Sequence, residues 1–264
     1  MKPRSDQDDA GPPVDAIRVW QPAAAASSEI AELSTVLCVM AHPDDVDFAA
    51  AGTVAALTAQ GVAVSYCVLT DGEQGGYDPT VSRTEMAAIR RREQVLAAKA
   101  VGVSEVTFLG WPDGSVQPTL ELRKAICAVL RMVRPDLVIT HSPSRNLDRI
   151  YSSHPDHLAC GEATLAAVYP DARNQFCYPE LNLQPHLVSR AWLIGNDAPD
   201  FYVDVTDYVP AKRAALLAHA SQRPGISADG EVDRFLQTML QANAERCRLP
   251  SGRSAESFRS IATD

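Results

Sequence analysis

The sequence has little of what several classes of protein require. Its net charge is −9 and its pI is about 5.1, so it lacks the basic surface that binds a nucleic-acid backbone or an anionic membrane. No apolar stretch approaches membrane-spanning length, and the first thirty residues contain no signal-peptide core. A G-x-S-x-G motif is also missing, which leaves a serine hydrolase without support. We expect a cytoplasmic protein that binds neither nucleic acid nor membrane.

Cysteine is present, but without a pairing pattern. None of the six residues forms a CxxC pair, and several of them lie in apolar runs. The six are Cys38, Cys67, Cys127, Cys160, Cys177 and Cys247. Thiols in such surroundings behave as small hydrophobic side chains. We therefore expect buried, reduced cysteines.

The sequence does contain an alternation of strand and helix patterns, in a chain of 264 residues of which 46% are hydrophobic. Apolar runs such as VLCVMA and VAVSYCVLT alternate with helical stretches that end at Gly61 and Gly102. This alternation indicates right-handed βαβ units. It predicts a Rossmann-like α/β fold, a mostly parallel sheet with helices on both faces. We predict one domain over residues 34–264, after a flexible extension over residues 1–33.

Two copies of the tripeptide His-Pro-Asp follow predicted strands. The first, in AHPDD, contains His42, Asp44 and Asp45 directly after the first long strand. The second, in HPDH, contains His154 and His157 within a dozen residues of the fourth strand. In open parallel sheets, ligands bind outside the carboxyl ends of the strands. We therefore expect the metal-binding or catalytic edge of the sheet to be the carboxyl edge, where both motifs lie.

A single His-Pro-Asp usually has a structural explanation, because proline fixes φ and aspartate caps a following helix. Two such clusters at one sheet edge are harder to explain in this way. The i, i+3 spacing of His42 with Asp45, and of His154 with His157, places each pair on one face of a helical turn. Two imidazoles and one carboxylate make a metal site with positions left for water and substrate. The two motifs together therefore predict a metal site.

On these motifs the chain resembles the PIG-L/LmbE-like zinc deacetylases, a family that removes acetyl groups from N-acetylglucosaminyl substrates. The resemblance covers about residues 35–222. It includes DGEQGG after the second strand, RRREQVLAAKAVGV in the second helix, LGWPDG after the third strand and AKRAALLAHASQ nearer the C-terminus. The resemblance implies a metallohydrolase whose partner is a small amino-sugar conjugate.

Carried over by position, the resemblance implies that His42, Asp45 and His157 bind one Zn²⁺ ion, which Fe²⁺ can replace in the cell. Asp44 would be the general base. His154 would polarise the acetyl carbonyl or protonate the leaving amine.

Three further residues receive roles from the same resemblance or from their position. Arg90 and Asp113 would contact the substrate. Asp156 lies between two histidines, where it would either hydrogen-bond an imidazole and fix its tautomer or cap a helix.

Other residues near the predicted site receive no firm role. They are Asp47, Asp71, Glu73, Trp111, His141, Tyr151 and His219. One departure from the family pattern stands beside HPDH, where some members have a tyrosine and this chain has Ser152, with Tyr151 one position earlier.

The sequence leaves several alternatives. Within the same family, an amidase for mycothiol-type conjugates is one, and a sugar-binding protein without turnover is another. DVDFAAAGT resembles the Asp-x-Asp loop of magnesium-dependent aspartyl phosphohydrolases, a reading that leaves HPDH without a role. The same ligand types also bind Fe(II) in oxygenases, which usually have a β-rich scaffold. The identity of the aglycone and the formation of a homo-oligomer are not determined by the sequence.

Overall fold

The structure is a computed structural model of the chain, and it describes residues 17–22, 30, 32–147, 150–196, 198–222 and 229–263. The strands in this part are β1 (Arg18–Trp20), β2 (Thr35–Met40), β3 (Ala63–Thr70), β4 (Glu105–Trp111), β5 (Leu137–His141), β6 (Arg190–Ile194), β7 (Phe201–Asp204) and β8 (Ala255–Ala262). The α-helices are α1 (Asp45–Ala59), α2 (Arg83–Ala100), α3 (Leu120–Val133), α4 (Pro155–Ala166), α5 (Val209–Ala218) and α6 (Asp229–Arg246). None of the helices described here is both long and apolar enough to cross a membrane.

The eight strands form one sheet in the order β1-β7-β8-β6-β5-β2-β3-β4. Strand β8 runs antiparallel to β6 and β7, and the other pairings are parallel. The predicted mostly parallel α/β sheet is thereby confirmed. From β2 the chain adds β3 and β4 on one side, and then β5 and β6 on the other. The topological switch point, where such sheets bind ligands, therefore lies between β2 and β5.

The side chains of β2 alternate between two hydrophobic cores. Val36, Cys38 and Met40 belong to the core under α1, α2, α5 and α6. Leu37 and Val39 belong to the core under α3 and α4. A strand with a two-residue period can be apolar throughout only if both faces are buried, as here. The loop that follows β2 is therefore anchored in the centre of the protein.

Strand β1 lies within the stretch that the sequence predicts to be a flexible extension. It pairs with β7, and Trp20 is only 1% exposed. The prediction does not hold for these three residues, because the indole is part of a hydrophobic core. Residues 1–16, 23–29 and 31 of that stretch lie outside the described residues. A single domain over residues 34–264 stays a prediction.

A buried ion pair fixes α1 to the C-terminal half of the chain. Lys212 Nζ on α5 lies 2.6 Å from Glu256 Oε1 on β8, and both side chains are fully buried. Lys212 also donates to two carbonyl oxygens in the first turn of α1. Glu256 accepts hydrogen bonds from the backbone amides of Gly52 and Thr53 in the middle of that helix. Lys212 and Glu256 together therefore hold α1, the helix that follows the first motif, from Asp47 to Thr53.

We predict that Lys212→Met lowers the free energy of unfolding by about 3–5 kcal/mol, because it leaves the Glu256 carboxylate buried without its cation. Urea denaturation measures the change. The matched control is Arg213→Met, since Arg213 forms a partly exposed pair with Asp233, and such pairs contribute about 0–1 kcal/mol. Equal losses in the two variants would contradict the prediction.

Candidate metal and catalytic centre

Loops at the carboxyl ends of neighbouring strands bring the functional side chains together. His42 follows β2, Asp113 follows β4 and His141 ends β5. Helix α4 begins within the second motif, with Pro155 in its first turn, where the missing amide hydrogen costs nothing. The two motifs meet at the switch point between β2 and β5, at the edge that the sequence predicts.

The three predicted metal ligands present donor atoms close together. His42 Nδ1 lies 3.2 Å from His157 Nε2 and 3.5 Å from Asp45 Oδ2. His157 Nε2 lies 3.0 Å from Asp45 Oδ1. Ligand atoms about 2.1 Å from a tetrahedral zinc ion lie roughly 3.4 Å from one another. These contacts have lengths of that order, but His42 and His157 contact different oxygens of Asp45. One metal ion held by His42, Asp45 and His157 together stays a prediction.

The second nitrogen of His42 faces two further carboxylates. Nε2 lies 3.2 Å from Asp113 Oδ1 and 3.2 Å from Asp156 Oδ2. Asp156 is fully buried and also accepts two backbone amides from the loop after β4. The residue at the N-terminal cap of α4 is His154. Of the two roles considered for Asp156, its contacts favour the one that orients an imidazole.

Negative charge dominates the electrostatics of this cluster. Burial lowers the pKa of His42, but hydrogen bonds with Asp113, Asp156 and Asp45 outweigh it and raise that pKa to about 12. Burial also acts to raise the pKa of Asp45, and the neighbouring imidazoles hold it well below its usual range. An imidazole that retains a proton so strongly lies in a negative potential. The same negative potential attracts a divalent cation, so the charge of the site is compatible with a bound metal ion.

His141 supports two of the three metal-ligand candidates. Its ring stacks on that of His157, with 4.1 Å between centroids and 18° between planes. Its Nε2 lies 3.1 Å from Asp45 Oδ2 and 3.3 Å from the amide of Ala41. Asp45, His141 and His157 also form one of the groups of donor atoms in the described residues that could hold a metal ion. Burial lowers the pKa of His141 to about 4, and the neutral ring is placed to donate to Asp45, the shorter and charge-assisted contact.

Asp44 is held in an unusual backbone conformation. Its φ is 89°, in the left-handed region that residues other than glycine rarely adopt. Arg90 Nη2 donates to Asp44 Oδ2 over 2.9 Å. The Asp44 amide donates to Gln94 Oε1 over 2.7 Å. Two side chains one turn apart on α2 thus hold the carboxylate and the backbone of the same residue.

Arg90 lies beneath the site. It is 4% exposed and also donates to the carbonyl oxygens of Gly72 and Pro43. Burial raises the pKa of Asp44 to about 6, against the lowering effect of the Arg90 guanidinium. Asp113, 6% exposed, is bound to the imidazole of His42. The contacts of Arg90 and Asp113 with a substrate stay predictions.

His154 is the exposed histidine of the cluster. Its ring lies 5.0 Å from that of His42 in an edge-on arrangement. Nδ1 accepts the amide of Asp156 over 3.2 Å, so the neutral ring carries its proton on Nε2. Burial lowers the pKa of His154, and the neighbouring imidazoles of His42 and His157 act in the same direction. A neutral Nε2–H donor is what the predicted polarisation of a carbonyl oxygen requires.

Two residues without a firm role bind each other behind the site. His219 Nε2 lies 2.8 Å from Asp47 Oδ2, and both side chains are buried. Gln94 Nε2 donates to the same Asp47 oxygen over 2.9 Å. In the bonds described, the Asp47 side chain therefore contacts Gln94 on the supporting helix α2 and His219, and none of the metal-ligand candidates.

The remaining residues near the site have ordinary structural contacts. Asp71 forms a two-point ion pair with Arg91 at the surface. Glu73 accepts the amide of Asp113. Trp111 packs against a hydrophobic core. The side chain of Tyr151 lies outside the described part of the structure.

Sequence reasoning does not single out Gln94. Its signal is a stripe of polar residues, Arg90, Glu93 and Gln94, at i, i+3 and i+4 of α2, all of which are buried. Such residues are ordinarily exposed, so a polar stripe on a helix is read as its solvent face. Only the structure shows that this stripe faces the site.

This chain belongs to the family described as "PIG-L: GlcNAc-PI de-N-acetylase", whose profile matches residues 37–168. It is 33% identical over 195 residues to the diacetylchitobiose deacetylase of Thermococcus kodakarensis, across 73% of this chain and 72% of that protein. It is 28% identical over 243 residues to the 1D-myo-inositol 2-acetamido-2-deoxy-alpha-D-glucopyranoside deacetylase of a Mycobacterium species, across 74% and 76% of the two chains.

Solved structures show the same relationship. The N,N'-diacetylchitobiose deacetylase from Pyrococcus horikoshii, in complex with its inhibitor MPG, matches with a TM-score of 0.79 at 31% identity, over 88% of this chain and 85% of that one. A 4-carboxy-2-hydroxymuconate hydratase, GalB from Pseudomonas, matches with a TM-score of 0.72 at 20% identity, over 88% and 97%. The second likeness shows the fold alone. The family membership predicted from the sequence motifs is confirmed.

We predict that His141→Phe weakens metal binding about 10- to 100-fold, because it keeps the ring on His157 but removes the donor to Asp45. Competition with a chelator measures the dissociation constant. His141→Gln restores a donor and should recover part of the affinity. His186→Phe is the control, since His186 contacts the carbonyl oxygen of Pro135 before β5 begins. Unchanged affinity in His141→Phe would show that the Asp45 contact is unimportant.

Proposed function

We propose that this protein hydrolyses the N-acetyl group of an N-acetylglucosamine-containing conjugate, with one zinc ion held by His42, Asp45 and His157. One observation carries the proposal. Nitrogen atoms of His42 and His157, 115 residues apart, lie 3.2 Å from each other, and each lies within 3.5 Å of an Asp45 oxygen. A supported carboxylate, Asp44, and a neutral imidazole donor, His154, lie beside them.

Zinc is proposed on the chemistry of the donor set. Two imidazoles and one carboxylate are the ligand types of catalytic zinc sites that keep a position for water and substrate. When bound, zinc supplies a Lewis acid that lowers the pKa of water to about 7 and polarises a carbonyl oxygen. The same donors accept Fe²⁺, so metal analysis of the purified protein has to distinguish the two.

Asp44 is proposed as the general base. Amide hydrolysis needs one group that takes a proton from the attacking water and returns one to the leaving amine. The Asp44 carboxylate is placed for this by Arg90 and lies next to the ligand candidate Asp45. Its pKa of about 6, raised by burial, suits a group that gains and loses a proton near neutral pH.

His154 is proposed to stabilise the developing oxyanion. Its protonated Nε2 is directed by the bond that Nδ1 makes with the Asp156 amide. A fixed donor aimed at the oxygen that becomes negative favours the transition state over the ground state. The ring is exposed, so a substrate can reach it.

The substrate class rests on the relatives. The Thermococcus protein is named for diacetylchitobiose, and the Mycobacterium protein for a 2-acetamido-2-deoxy-glucopyranoside. Both names contain an N-acetylated glucosamine unit, and we propose that unit as the common element that this chain recognises. A cytoplasmic location and a homo-oligomeric state stay predictions.

The alternative functions are less well supported. A magnesium-dependent phosphohydrolase would need the Asp45-x-Asp47 pair to face one ion, and Asp47 is instead fully buried against Gln94 and His219. A sugar-binding protein without turnover would not require a carboxylate that Arg90 and Gln94 hold beside the proposed metal site. An amidase for larger conjugates would use the same centre, and a substrate series decides between it and the deacetylase.

We predict about one zinc or iron ion per chain in the purified protein, with loss of that ion in His157→Ala. The reason is that His157 supplies one of only three proposed protein ligands. Elemental analysis measures the metal, and acetate release from diacetylchitobiose and simpler N-acetylglucosaminides measures activity. A protein that holds no transition metal after reloading would overturn the proposal.

Asp44→Asn should keep its metal but lower kcat roughly 10²- to 10⁴-fold, as expected for loss of a general base. Asn preserves the shape of the side chain but accepts no proton. Asp78→Asn is a surface control, since Asp78 is exposed and its carboxylate bonds only to Thr80, two residues on, in the bonds described. A kcat for Asp44→Asn within a few-fold of the unmodified enzyme would assign the base to another residue.

A further inference from the structure

A buried series of side chains leads from the C-terminal half of the protein to the backbone of Asp44. Gln94 is fully buried on α2, and its Oε1 accepts the amide of Asp44 over 2.7 Å. Its Nε2 donates to Asp47 Oδ2 over 2.9 Å. His219 Nε2 lies 2.8 Å from that same oxygen, although 172 residues separate His219 from Asp47.

The side-chain amide of Gln94 satisfies both partners in one orientation only. A backbone N–H can only donate, so the amide oxygen has to face Asp44. An ionised carboxylate can only accept, so the NH2 group has to face Asp47. A flipped amide would break both hydrogen bonds and leave buried polar groups unpaired. The Asp47 carboxylate therefore fixes the orientation of Gln94, and His219 holds that carboxylate.

Asp44 needs this support because of its backbone. A residue with a Cβ at φ 89° is in an unfavourable conformation, which persists only where the surroundings impose it. Arg90 holds the carboxylate at the end of the side chain. Gln94 holds the amide, which sets the direction in which the whole side chain leaves the backbone.

We infer that Gln94, Asp47 and His219 form a positioning relay that fixes the backbone of Asp44, and that His219 acts on the reaction through this relay without touching the substrate. The inference rests on the proposed role of Asp44 as general base. It gives a function to the segment AKRAALLAHASQ. Lys212 in that segment binds the carbonyl oxygen of Asp47, and His219 binds its side chain.

The first test is Gln94→Met, which preserves the length of the side chain and removes both hydrogen bonds. We expect kcat to fall roughly 10- to 100-fold with KM within about two-fold, because a displacement of about 1 Å at a catalytic group can cost about 100-fold. Metal content should not change, since Gln94 contacts none of the proposed ligands in the bonds described. Asn243→Leu is the matched control, because Asn243 also makes a partly buried amide hydrogen bond, which joins α6 to Ala255.

The second test compares two substitutions of His219, and it stands by itself if Gln94→Met does not fold. His219→Phe keeps a ring but cannot donate to Asp47, and it should lower kcat in the same way as Gln94→Met. His219→Gln keeps a donor and should restore much of that loss. Thermal unfolding is recorded for all variants, because a purely structural role predicts that both substitutions lower stability with kcat per folded, metal-loaded molecule unchanged.

The outcomes separate this inference from the proposed function. Unchanged kcat in folded Gln94→Met and in His219→Phe overturns the relay and leaves the deacetylase intact. A loss of metal in either variant, or an equal loss of kcat in His219→Phe and His219→Gln, also overturns it. Absence of acetate release by the unmodified, metal-loaded protein removes the proposed function and the relay together.

Discussion

The constraint on which the site depends is the burial of several carboxylates at one edge of the sheet. Three of them have a partner in the protein: Asp44 with Arg90, Asp47 with His219 and Glu256 with Lys212. Three others, Asp45, Asp113 and Asp156, converge on the same few imidazoles. Desolvated carboxylates are costly unless a positive charge compensates them. The second group therefore surrounds the imidazoles of the candidate metal centre with negative charge that a cation can compensate, and the first group supports the backbone around that centre.

The sheet and the meeting of the two motifs could be predicted because both depend on local pattern and on a general rule. Strand and helix alternate visibly up to β5, and parallel strands place their carboxyl ends at one edge. Strands β1 and β8 could not be found in this way. The first has three residues, and the second carries Glu256 at a buried position, which breaks the expected alternation of polar and apolar residues.

The residues that hold Asp44 in place are harder to predict from the sequence than the proposed metal ligands are. Two histidines and an aspartate at suitable spacing predict a metal site. Gln94 and Arg90, in contrast, lie in a stripe of polar residues on α2 that resembles a solvent-exposed face. Their contacts with Asp44 follow from the tertiary structure and not from the sequence pattern. The fold does not supply the reaction either, since a hydratase shares it at 20% identity. Function here rests on particular side chains and on the family to which the chain belongs.

The bond between Glu256 and the amide of Gly52 joins residues 204 positions apart. Contacts of this range close late, because the entropy of a long loop is lost before they can form. During synthesis, β2, α1 and both histidine motifs leave the ribosome well before β8 does. Helix α1 is therefore synthesised before the residue that binds the amides in its middle. A messenger truncated shortly before β8 would encode every proposed ligand, but its product would lack the Glu256 carboxylate that accepts the amides of Gly52 and Thr53 in α1.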